Sequence, residues 1–457
     1  MSNISVIGTG YVGVAYAAAL ADLGHEVIAL DLIPERISTL AAGRVPFYEP
    51  GLEELVQRGA QSGRLRFTTD YDIAVPGADF VFLCVGTPSA PNGEADLRYV
   101  QDAAASIGAR LSTDHRTLIV NKSTMPSGSA DLVARILSAN ARMGASFGVV
   151  SNPEFLREGS ALHDIRHPDR IILGTDDPET ADEVAALYAP LGAPVLVTNS
   201  RSAEMVKYAA NAFLATKISF INEIAQLCEE AGVDVNVVAE GIGMDGRIGQ
   251  RFLHAGLGFG GSCFPKDIAA LIRLAEQAGL RSRLLRSIVE INDDVRVRFL
   301  DRAERMLGGL DGRLVGVWGL AFKEETDDVR NSPALATIEL LLMRGARVQA
   351  YDPAAMATAA RALPELPMTQ NAYHAATGAD AVLVATPWNE FRQIDLHRVA
   401  DLMSGDVLLD GRNLYDPRVV ADARMRYLGI GRGVPFPTPR RLPTDIVTPD
   451  PLEEVSA

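Results

Sequence analysis

The sequence predicts an α/β protein with two Rossmann-like doubly wound domains, joined by a long central helix and a helical middle domain. Two observations predict this fold. The strand–turn–helix–strand pattern of residues 3–31 returns in weaker form at 314–352, and a long helical pattern separates the two copies. The boundaries we expect are a first α/β domain over 1–199, a helical domain over 200–310, a second α/β domain over 311–440 and a flexible tail over 441–457.

The first copy carries a dinucleotide-binding fingerprint. Gly8, Gly10 and Gly13 follow a β-branched strand in G-x-G-x-x-G spacing, and the next strand ends at Asp31. These glycines allow a tight turn, close approach of a pyrophosphate and close packing of helix on strand. An acid at the end of the second strand accepts hydrogen bonds from ribose hydroxyls and repels a 2′-phosphate, so NAD is favoured over NADP. Further candidate cofactor contacts in this unit are Tyr11, Val12 and Arg36.

The second copy keeps only part of this fingerprint. Gly316 and Gly319 lie in its predicted turn, and its second strand ends at Asp352. We therefore expect no second dinucleotide there, and a nucleotide attached to another group fits better. Each copy also has a later strand followed by Thr-Pro, at 87–88 and at 386–387.

Between the copies, residues 200–232 predict one long helix, and 265–306 form a second helical pattern. Lys207 and Asn211 lie four residues apart on the first helix, on a face shared with small residues such as Ala215. This stripe favours a buried functional pair over a solvated one. A desolvated lysine can act as a base or stabilise an oxyanion.

Cys263 differs from the other two cysteines. Cys84 lies in an apolar strand and Cys228 on the long helix, so both are expected to be core residues. Cys263 lies in GFGGSCFPKD, and Pro265 suits the first turn of the helix that follows. A helix N-terminus favours a thiolate by about 0.3–1 kcal/mol, so a nearby lysine or a bound nicotinamide would have to add to it. The alternative is a loop cysteine with no role.

Composition favours a cytoplasmic protein. Hydrophobic residues make up 47% of the 457, yet no apolar run approaches the roughly 20 residues of a membrane span. The start of the chain lacks a signal peptide, and three scattered cysteines do not make a disulfide framework. A net charge of −15 argues against a nucleic-acid surface. We expect a small-molecule partner and no membrane, nucleic acid or metal.

Six motifs, in order along nearly the whole chain, resemble the UDP-glucose 6-dehydrogenase family of nucleotide-sugar dehydrogenases. They are GTGYVG, STMPSG, SNPEFLREG, MVKYAANAFLATKISFINE, GFGGSCFPKD and GLAFKEETDDVRNSP. Within this group, Cys-Phe-Pro-Lys-Asp is nearer to the UDP-glucose branch than to the UDP-N-acetylmannosamine branch. GDP-mannose dehydrogenases stay open as an alternative.

The resemblance implies a four-electron oxidation of UDP-glucose to UDP-glucuronate that consumes two NAD. A cysteine captures the aldehyde as a thiohemiacetal, which becomes a thioester and is hydrolysed. The catalytic residues implied are Cys263, Lys207, Asn211, Asp267, Glu154 and Thr124. In this scheme Lys207 stabilises oxyanions and Thr124 positions the first-step water or proton path. The division of roles as base between Glu154 and Asp267 stays open.

The resemblance also implies binding residues. Cofactor contacts would come from Thr87, Thr124, Glu158, Lys266 and Arg330. Contacts to the nucleotide sugar would come from Glu154, Phe155, Leu156, Arg157, Lys207, Asn211, Arg247, Phe252, Leu253, His254, Ala255, Gly256, Gly260, Lys323 and Arg412. A neighbouring subunit usually lends the residue at Arg247, and a homodimer built through the central helix is implied.

Two other classes of function remain open. A two-electron β-hydroxyacid dehydrogenase shares the Rossmann start and a helix-borne lysine, but it needs no cysteine and forms one NADH per substrate. A non-catalytic nucleotide-sugar-binding protein would bind the same ligands without turnover. The joint presence of Cys263, Lys207 and Asp267 speaks against the second class.

Overall fold

The structure is a computed structural model that describes residues 1–432. An N-terminal sheet and a C-terminal sheet, each with flanking helices, are joined by a helical segment, as the sequence predicts. The predicted tail, 441–457, and the residues just before it, 433–440, lie outside the described residues. Among residues 1–432, no helix combines the length and apolarity needed to cross a membrane.

The N-terminal sheet has eight strands, with packed cores on both of its faces. The strands are β1 (Asn3–Ile7), β2 (Glu26–Leu30), β3 (Leu65–Thr68), β4 (Phe80–Leu83), β5 (Arg116–Asn121), β6 (Ser146–Ser151), β7 (Ile171–Gly174) and β8 (Val195–Thr198). Their order is β3-β2-β1-β4-β5-β6-β7-β8, and neighbours run parallel except for β6 and β7. The helices are α1 (Tyr11–Asp22), α2 (Pro34–Ala41), α3 (Leu52–Gln61), α4 (Tyr71–Ala74), α5 (Arg98–Gly108), α6 (Ser129–Asn140), α7 (Ala161–Arg166) and α8 (Pro178–Tyr188).

The helical segment contains α9 (Ser200–Ala231), α10 (Val235–Gly243), α11 (Phe264–Gln277) and α12 (Arg283–Leu307). The prediction of one long helix is confirmed by α9. Its first turn is capped by the side chain of Asn199, which accepts a hydrogen bond from the Ser202 amide, and it ends at Gly232 in a left-handed conformation. The second helical pattern, predicted over 265–306, consists of two helices, α11 and α12. Gly279, also left-handed at φ +72°, lies between them.

The C-terminal sheet has five parallel strands in the order β10-β9-β11-β12-β13. They are β9 (Leu314–Trp318), β10 (Arg347–Tyr351), β11 (Ala381–Val384), β12 (Val407–Asp410) and β13 (Arg426–Gly429). The helices are α13 (Pro333–Met343), α14 (Met356–Ala362), α15 (Ala372–Ala376), α16 (Asn389–Arg392), α17 (Leu396–Leu402) and α18 (Pro417–Asp422). Gly316 lies inside β9, which corrects its predicted place in the turn: a Cβ there would lie 2.0 Å from the Ala375 carbonyl oxygen.

One hydrophobic core joins the helical segment to the C-terminal sheet. Side chains of α9 and α12, including Ile221, Cys228 and Phe299, pack with Val315 and Val317 of β9. Both cysteines that we expect in cores are buried. Cys228 lies in this cluster, and Cys84 lies in the core of the N-terminal sheet. At its other end α9 packs against β6 and β7, so it connects the two sheets directly.

The fingerprint glycines give a matched pair of substitutions. A Cβ at Gly13 would lie 1.9 Å from the Gly8 carbonyl oxygen, whereas one at Gly10 would meet no described atom within 4 Å. We expect Gly13→Ala to lower the free energy of unfolding by about 1–3 kcal/mol, because helix and strand must separate. Gly10→Ala should change it by less than about 0.5 kcal/mol. Denaturant unfolding of both variants checks this, and equal stability of the two would contradict it.

Candidate active site

A cleft of about 680 Å³ lies between the N-terminal sheet, α9 and the start of α11. It gathers residues from all three parts of the chain. Among those that line it are Phe155, Lys207, Asn211, Cys263 and Lys323. Residues predicted from motifs far apart in sequence therefore meet at one site.

A buried ion pair joins the N-terminal sheet to α9 in this cleft. Lys207 Nζ lies 2.9 Å from Glu154 Oε1, and the two side chains are 3% and 7% exposed. Burial alone would lower the pKa of Lys207, but the Glu154 carboxylate holds it above its ordinary value. Burial alone would raise the pKa of Glu154, and the Lys207 ammonium reverses this and lowers it. The pair is therefore ionised at neutral pH, with a cation directed at the cleft.

A second acid lies across from this pair. Asp267 is 1% exposed, on the first turn of α11. Its Oδ2 accepts a hydrogen bond of 2.6 Å from Asn211 Nδ2, and its Oδ1 pairs with Lys266 Nζ at 2.6 Å. The side chain of Asn211, one turn after Lys207 on α9, thus orients this carboxylate.

Cys263 occupies the N-cap position of α11, as predicted, and lines the cleft. Its Sγ lies 3.5 Å from Ser262 Oγ. The expected thiolate is not favoured in this state. Burial raises the pKa of Cys263, the carboxylates of Glu154 and Asp267 raise it further, and Lys207 only partly opposes them. Burial and two acids thus outweigh the small effect of a helix N-terminus.

Glu158 bridges three parts of the chain. It accepts hydrogen bonds from Ser262 Oγ at 3.1 Å and Thr326 Oγ1 at 3.4 Å, and Arg330 Nη2 lies at 3.5 Å. Burial and the nearby Asp328 carboxylate raise the pKa of Glu158 to about 7. Arg330 and the hydrogen bond from Ser262 lower this pKa and only partly offset the increase. The loop after β6 is thereby tied both to the cysteine loop and to the C-terminal half.

The fingerprint residues form a cradle that fits a dinucleotide. Gly8, at φ +96°, makes the turn after β1, and the space beside Gly10 is open among the described residues. Asp31 Oδ2 accepts from Thr9 N and Thr9 Oγ1, each at 2.9 Å, and pairs with Arg36 at 2.8 Å. Burial would raise the pKa of Asp31, but these hydrogen bonds lower it, so the carboxylate is ionised at the end of β2.

Other predicted residues fall into three groups. Thr87 Oγ1 donates to the Thr124 carbonyl at 2.8 Å, which brings these two loops together. Lys323, Leu156, Arg157, Phe252 and Gly260 line the cleft. Arg412 is partly buried and donates to the carbonyls of Ala385, Gly258 and Phe322, and desolvation lowers its pKa to about 10.

The remaining predicted residues are not among those that line the cleft. Leu253 and Ala255 pack in the core shared by α9, α12 and the C-terminal sheet. His254 is exposed, and the Gly256 amide donates to Asn222 Oδ1 at 2.9 Å. Arg247 is 89% exposed and pairs with Asp245 on its own loop.

One buried cation of the cleft was missed by motif reasoning. Lys122 lines the wall formed with Tyr16, Asn152 and Tyr188, and it is 2% exposed. It directly precedes the STMPSG motif, and the chain has only five lysines. This scarcity was the signal that could have identified it. Within residues 1–432, no three His, Cys, Asp or Glu side chains are placed to hold a metal ion.

Comparison with known proteins agrees with this geometry. Sequence models of the UDP-glucose/GDP-mannose dehydrogenase family match three stretches of the chain: the NAD binding domain at 2–192, the central domain at 201–294 and the UDP binding domain at 316–417. UDP-glucose 6-dehydrogenase TuaD of Bacillus subtilis is 45% identical, over 100% of this chain and 98% of that protein. UDP-glucose 6-dehydrogenase of Rhizobium meliloti is 46% identical, over 94% of this chain and 99% of that protein.

A solved structure shows the same architecture. A UDP-glucose dehydrogenase from the hyperthermophilic archaeon Pyrobaculum islandicum is 44% identical, with a TM-score of 0.87 over 94% of this chain and 98% of that one. The chain therefore belongs to the UDP-glucose/GDP-mannose dehydrogenase family, and the family prediction from the motifs is confirmed.

The charges around Cys263 can be tested by alkylation. Removing the Glu154 charge in E154Q should lower the pKa of Cys263, so iodoacetamide should react several-fold faster at pH 8. K207M should react more slowly, because the cation that lowers this pKa is lost. A change of one unit in pKa alters the thiolate fraction about tenfold. Peptide mass spectrometry measures the Cys263 adduct, with C263S as the blank. Equal rates in both variants would contradict this account.

Proposed function

We propose that this member of the UDP-glucose/GDP-mannose dehydrogenase family is an NAD-dependent UDP-glucose 6-dehydrogenase that oxidises UDP-glucose to UDP-glucuronate. One observation carries the proposal: Cys263, Lys207 and Asn211 line one cleft, and the lysine and the asparagine each hold a buried carboxylate, Glu154 and Asp267. The similarity to UDP-glucose 6-dehydrogenases along the full length supports this substrate over GDP-mannose. A catalytic constellation of this kind favours an enzyme over a non-catalytic binding protein.

The cradle at the N-terminus suits NAD. Gly10 leaves room for a pyrophosphate at the start of α1, where backbone amides and the helix dipole favour anions, and Gly8 and Gly13 allow the turn and the close packing around it. We assign Asp31, at the end of β2, to the ribose hydroxyls. Bound NAD supplies a hydride acceptor, and two are consumed per substrate. Further contacts are proposed from Thr87, Thr124, Glu158, Lys266, Arg330, Tyr11, Val12 and Arg36.

In the first oxidation, the C6 hydroxyl loses a hydride and a proton and becomes an aldehyde. The Lys207 ammonium stabilises the negative charge that develops on the oxygen, because the cation is fixed by Glu154 in a desolvated site. Asn211 holds Asp267 in place to orient a water or take up the proton. We assign Thr124, whose carbonyl accepts a hydrogen bond from Thr87 Oγ1, to positioning the water of this step.

In the second oxidation, the carbon is held by the enzyme. Cys263 Sγ forms a bond to the aldehyde carbon, the carbonyl electron pair moves to oxygen, and the thiol proton is transferred to it, giving a thiohemiacetal. Loss of a second hydride and a proton gives a thioester. Water then adds to the thioester with Glu154 as base, the C–S bond breaks, and the acid and the free thiol form.

The diphosphate needs local cations on an acidic protein. Lys323, in the loop after β9, lines the cleft, and burial lowers its pKa. Arg157 lines the same cleft, and Arg412 holds the backbone of Gly258 in the substrate loop. We assign these three cations to the diphosphate and the sugar. We assign the loop 252–260 to the nucleotide sugar through its two ends, Phe252 and Gly260, which line the cleft.

A homodimer built through α9 belongs to the same proposal. Phe213, Phe220 and Leu227 recur every seven residues on this helix and are 64%, 45% and 63% exposed. An apolar stripe of this length is typical of an interface. Arg247, exposed and turned away from its own cleft, is available to a partner. Three free cysteines fit a reducing cytoplasm.

The number of hydrides transferred tests the reaction. Wild type with NAD⁺ and UDP-glucose should form two NADH per sugar, and GDP-mannose should be a poor substrate. C263S should lower turnover about a thousandfold or more, because the second oxidation needs the covalent intermediate. NADH absorbance together with product chromatography measures both results. One NADH per sugar in the wild type would favour the two-electron class, and steady turnover by C263S would reject covalent catalysis.

A substitution in the apolar stripe of α9 tests whether this helix forms the dimer interface. Phe220→Glu should place a charge in the interface and give monomers in light-scattering measurements, with a raised KM for UDP-glucose because Arg247 is no longer lent. Val419→Glu is the matched control, since Val419 is 56% exposed on α18, away from the stripe. A dimer unchanged by Phe220→Glu would contradict this interface.

A further inference from the structure

Lysine is scarce in this protein and concentrated in one place. Only five of its 43 basic residues are lysine. They are Lys122, Lys207, Lys217, Lys266 and Lys323. Four of them line the cleft, and the fifth, Lys266, pairs with Asp267 beside it.

Ion pairs on the surface are made by arginine instead, as in Arg116–Asp177 and Arg426–Asp406. On a surface, either residue satisfies a carboxylate. Lysine differs by carrying a compact charge on one atom, and by losing its proton readily when buried. A lysine in the cleft can therefore supply one of these properties. Lys207, Lys266 and Lys323 already have proposed roles. Of the other two, Lys217 donates to the backbone carbonyls of Ile248 and Gly249, and Lys122 lies in a buried polar cluster.

Lys122 directly follows β5 and points into a buried polar cluster. Its Nζ donates a hydrogen bond of 3.0 Å to Asn152 Oδ1 and lies 4.2 Å from the centre of the Tyr16 ring. The Tyr188 ring is 5.7 Å away, and the Tyr188 hydroxyl donates to the same Asn152 oxygen. The Asn152 amide nitrogen donates to the Ile172 carbonyl at 2.8 Å. The Asn152 side chain is therefore held from three directions.

Asn152 begins the segment that ends in Glu154. Glu154 Oε1 pairs with Lys207 at 2.9 Å, and Glu154 Oε2 accepts from the Leu156 amide at 2.6 Å. Lysines thus hold this segment at both ends, Lys122 at the asparagine and Lys207 at the carboxylate. Residues 152–154 are all buried, so water does not screen these contacts.

The charged and titratable groups around Lys122 are Cys84, Glu154 and Lys207, together with the phenols of Tyr16 and Tyr188. Burial lowers the pKa of Lys122 to about 7, with Glu154 and Cys84 opposing and Lys207 assisting. In turn, the ammonium form of Lys122 lowers the pKa of Glu154. The charge on Lys122 therefore bears on the charge on the carboxylate.

We propose that Lys122 is a positioning residue for hydrolysis of the enzyme-bound thioester: it fixes the Asn152–Glu154 segment and supplies the second positive charge facing the Glu154 carboxylate. The inference rests on the proposed function, in which Glu154 is the base of that step. It distinguishes Lys122 from a lysine that only fills a core, because its removal affects one step and does so most at low pH.

The test uses K122M, with Y188F as the matched control. Y188F removes the other donor to the same Asn152 oxygen but removes no charge. In K122M we expect the acid limb of the kcat–pH profile to move to higher pH by about one unit, because a cation near Glu154 is lost. Below pH 7 a rapid burst of two NADH per site should precede slow turnover, and mass spectrometry should find the thioester on Cys263. KM for UDP-glucose should stay within about twofold of wild type, and Y188F should keep the wild-type pH profile.

K122Q is the second variant, neutral but able to donate to Asn152, and should shift the acid limb as K122M does. Thermal unfolding confirms that each variant folds. The proposal would be overturned if folded K122M and K122Q kept the wild-type acid limb. It would also be overturned if they lost kcat equally at every pH. If wild type itself forms no second NADH, the proposed function fails instead, so the two failures are distinguishable.

Discussion

The buried pair between Lys207 and Glu154 is the constraint around which the rest of the structure is arranged. Taking both charges out of water costs several kcal/mol per ion, and their attraction offsets this only in good geometry. Losing one partner leaves an uncompensated buried charge, which typically costs about 3–5 kcal/mol. The pair therefore holds α9 against the loop after β6, and everything built on α9 depends on that contact.

That single helix connects the two halves of the chemistry. Its first turns carry Lys207 and Asn211 beside the N-terminal sheet, and its last turns share a core with the C-terminal sheet. Asn211 then sets Asp267 on α11, and α11 begins directly after Cys263. Lys207 and Asn211 of α9 thus hold both carboxylates, Glu154 on the loop after β6 and Asp267 on α11.

How much of this could be read from sequence depends on the range of the forces involved. Gly8 and Gly13, the N-cap position of Cys263 and the extent of α9 follow from local backbone chemistry, and the sequence predicts all of them. The direction of the pKa shift of Cys263 depends on how many acids surround it in three dimensions, and helix position alone predicts the wrong sign. The sequence wrongly predicts Gly316 in a turn. Glycine is needed there because the Ala375 backbone packs against β9, and Ala375 lies far along the chain. The surroundings of Lys122 are visible only in three dimensions, because Tyr16 comes from α1, Asn152 from the loop after β6 and Tyr188 from α8.

The distribution of lysine has a practical side. An amine-directed reagent has only five lysines and the amino terminus to attack; four of the lysines line the cleft, and Lys266 pairs with Asp267 beside it. Lys122 and Lys207 are 2% exposed, so esters that react with amines would couple in the folded protein to the other three lysines and to the amino terminus. Protease digestion at lysine would likewise leave long peptides, with every cut beside functional side chains. Changes at lysine in this protein therefore report on residues in or beside the cleft.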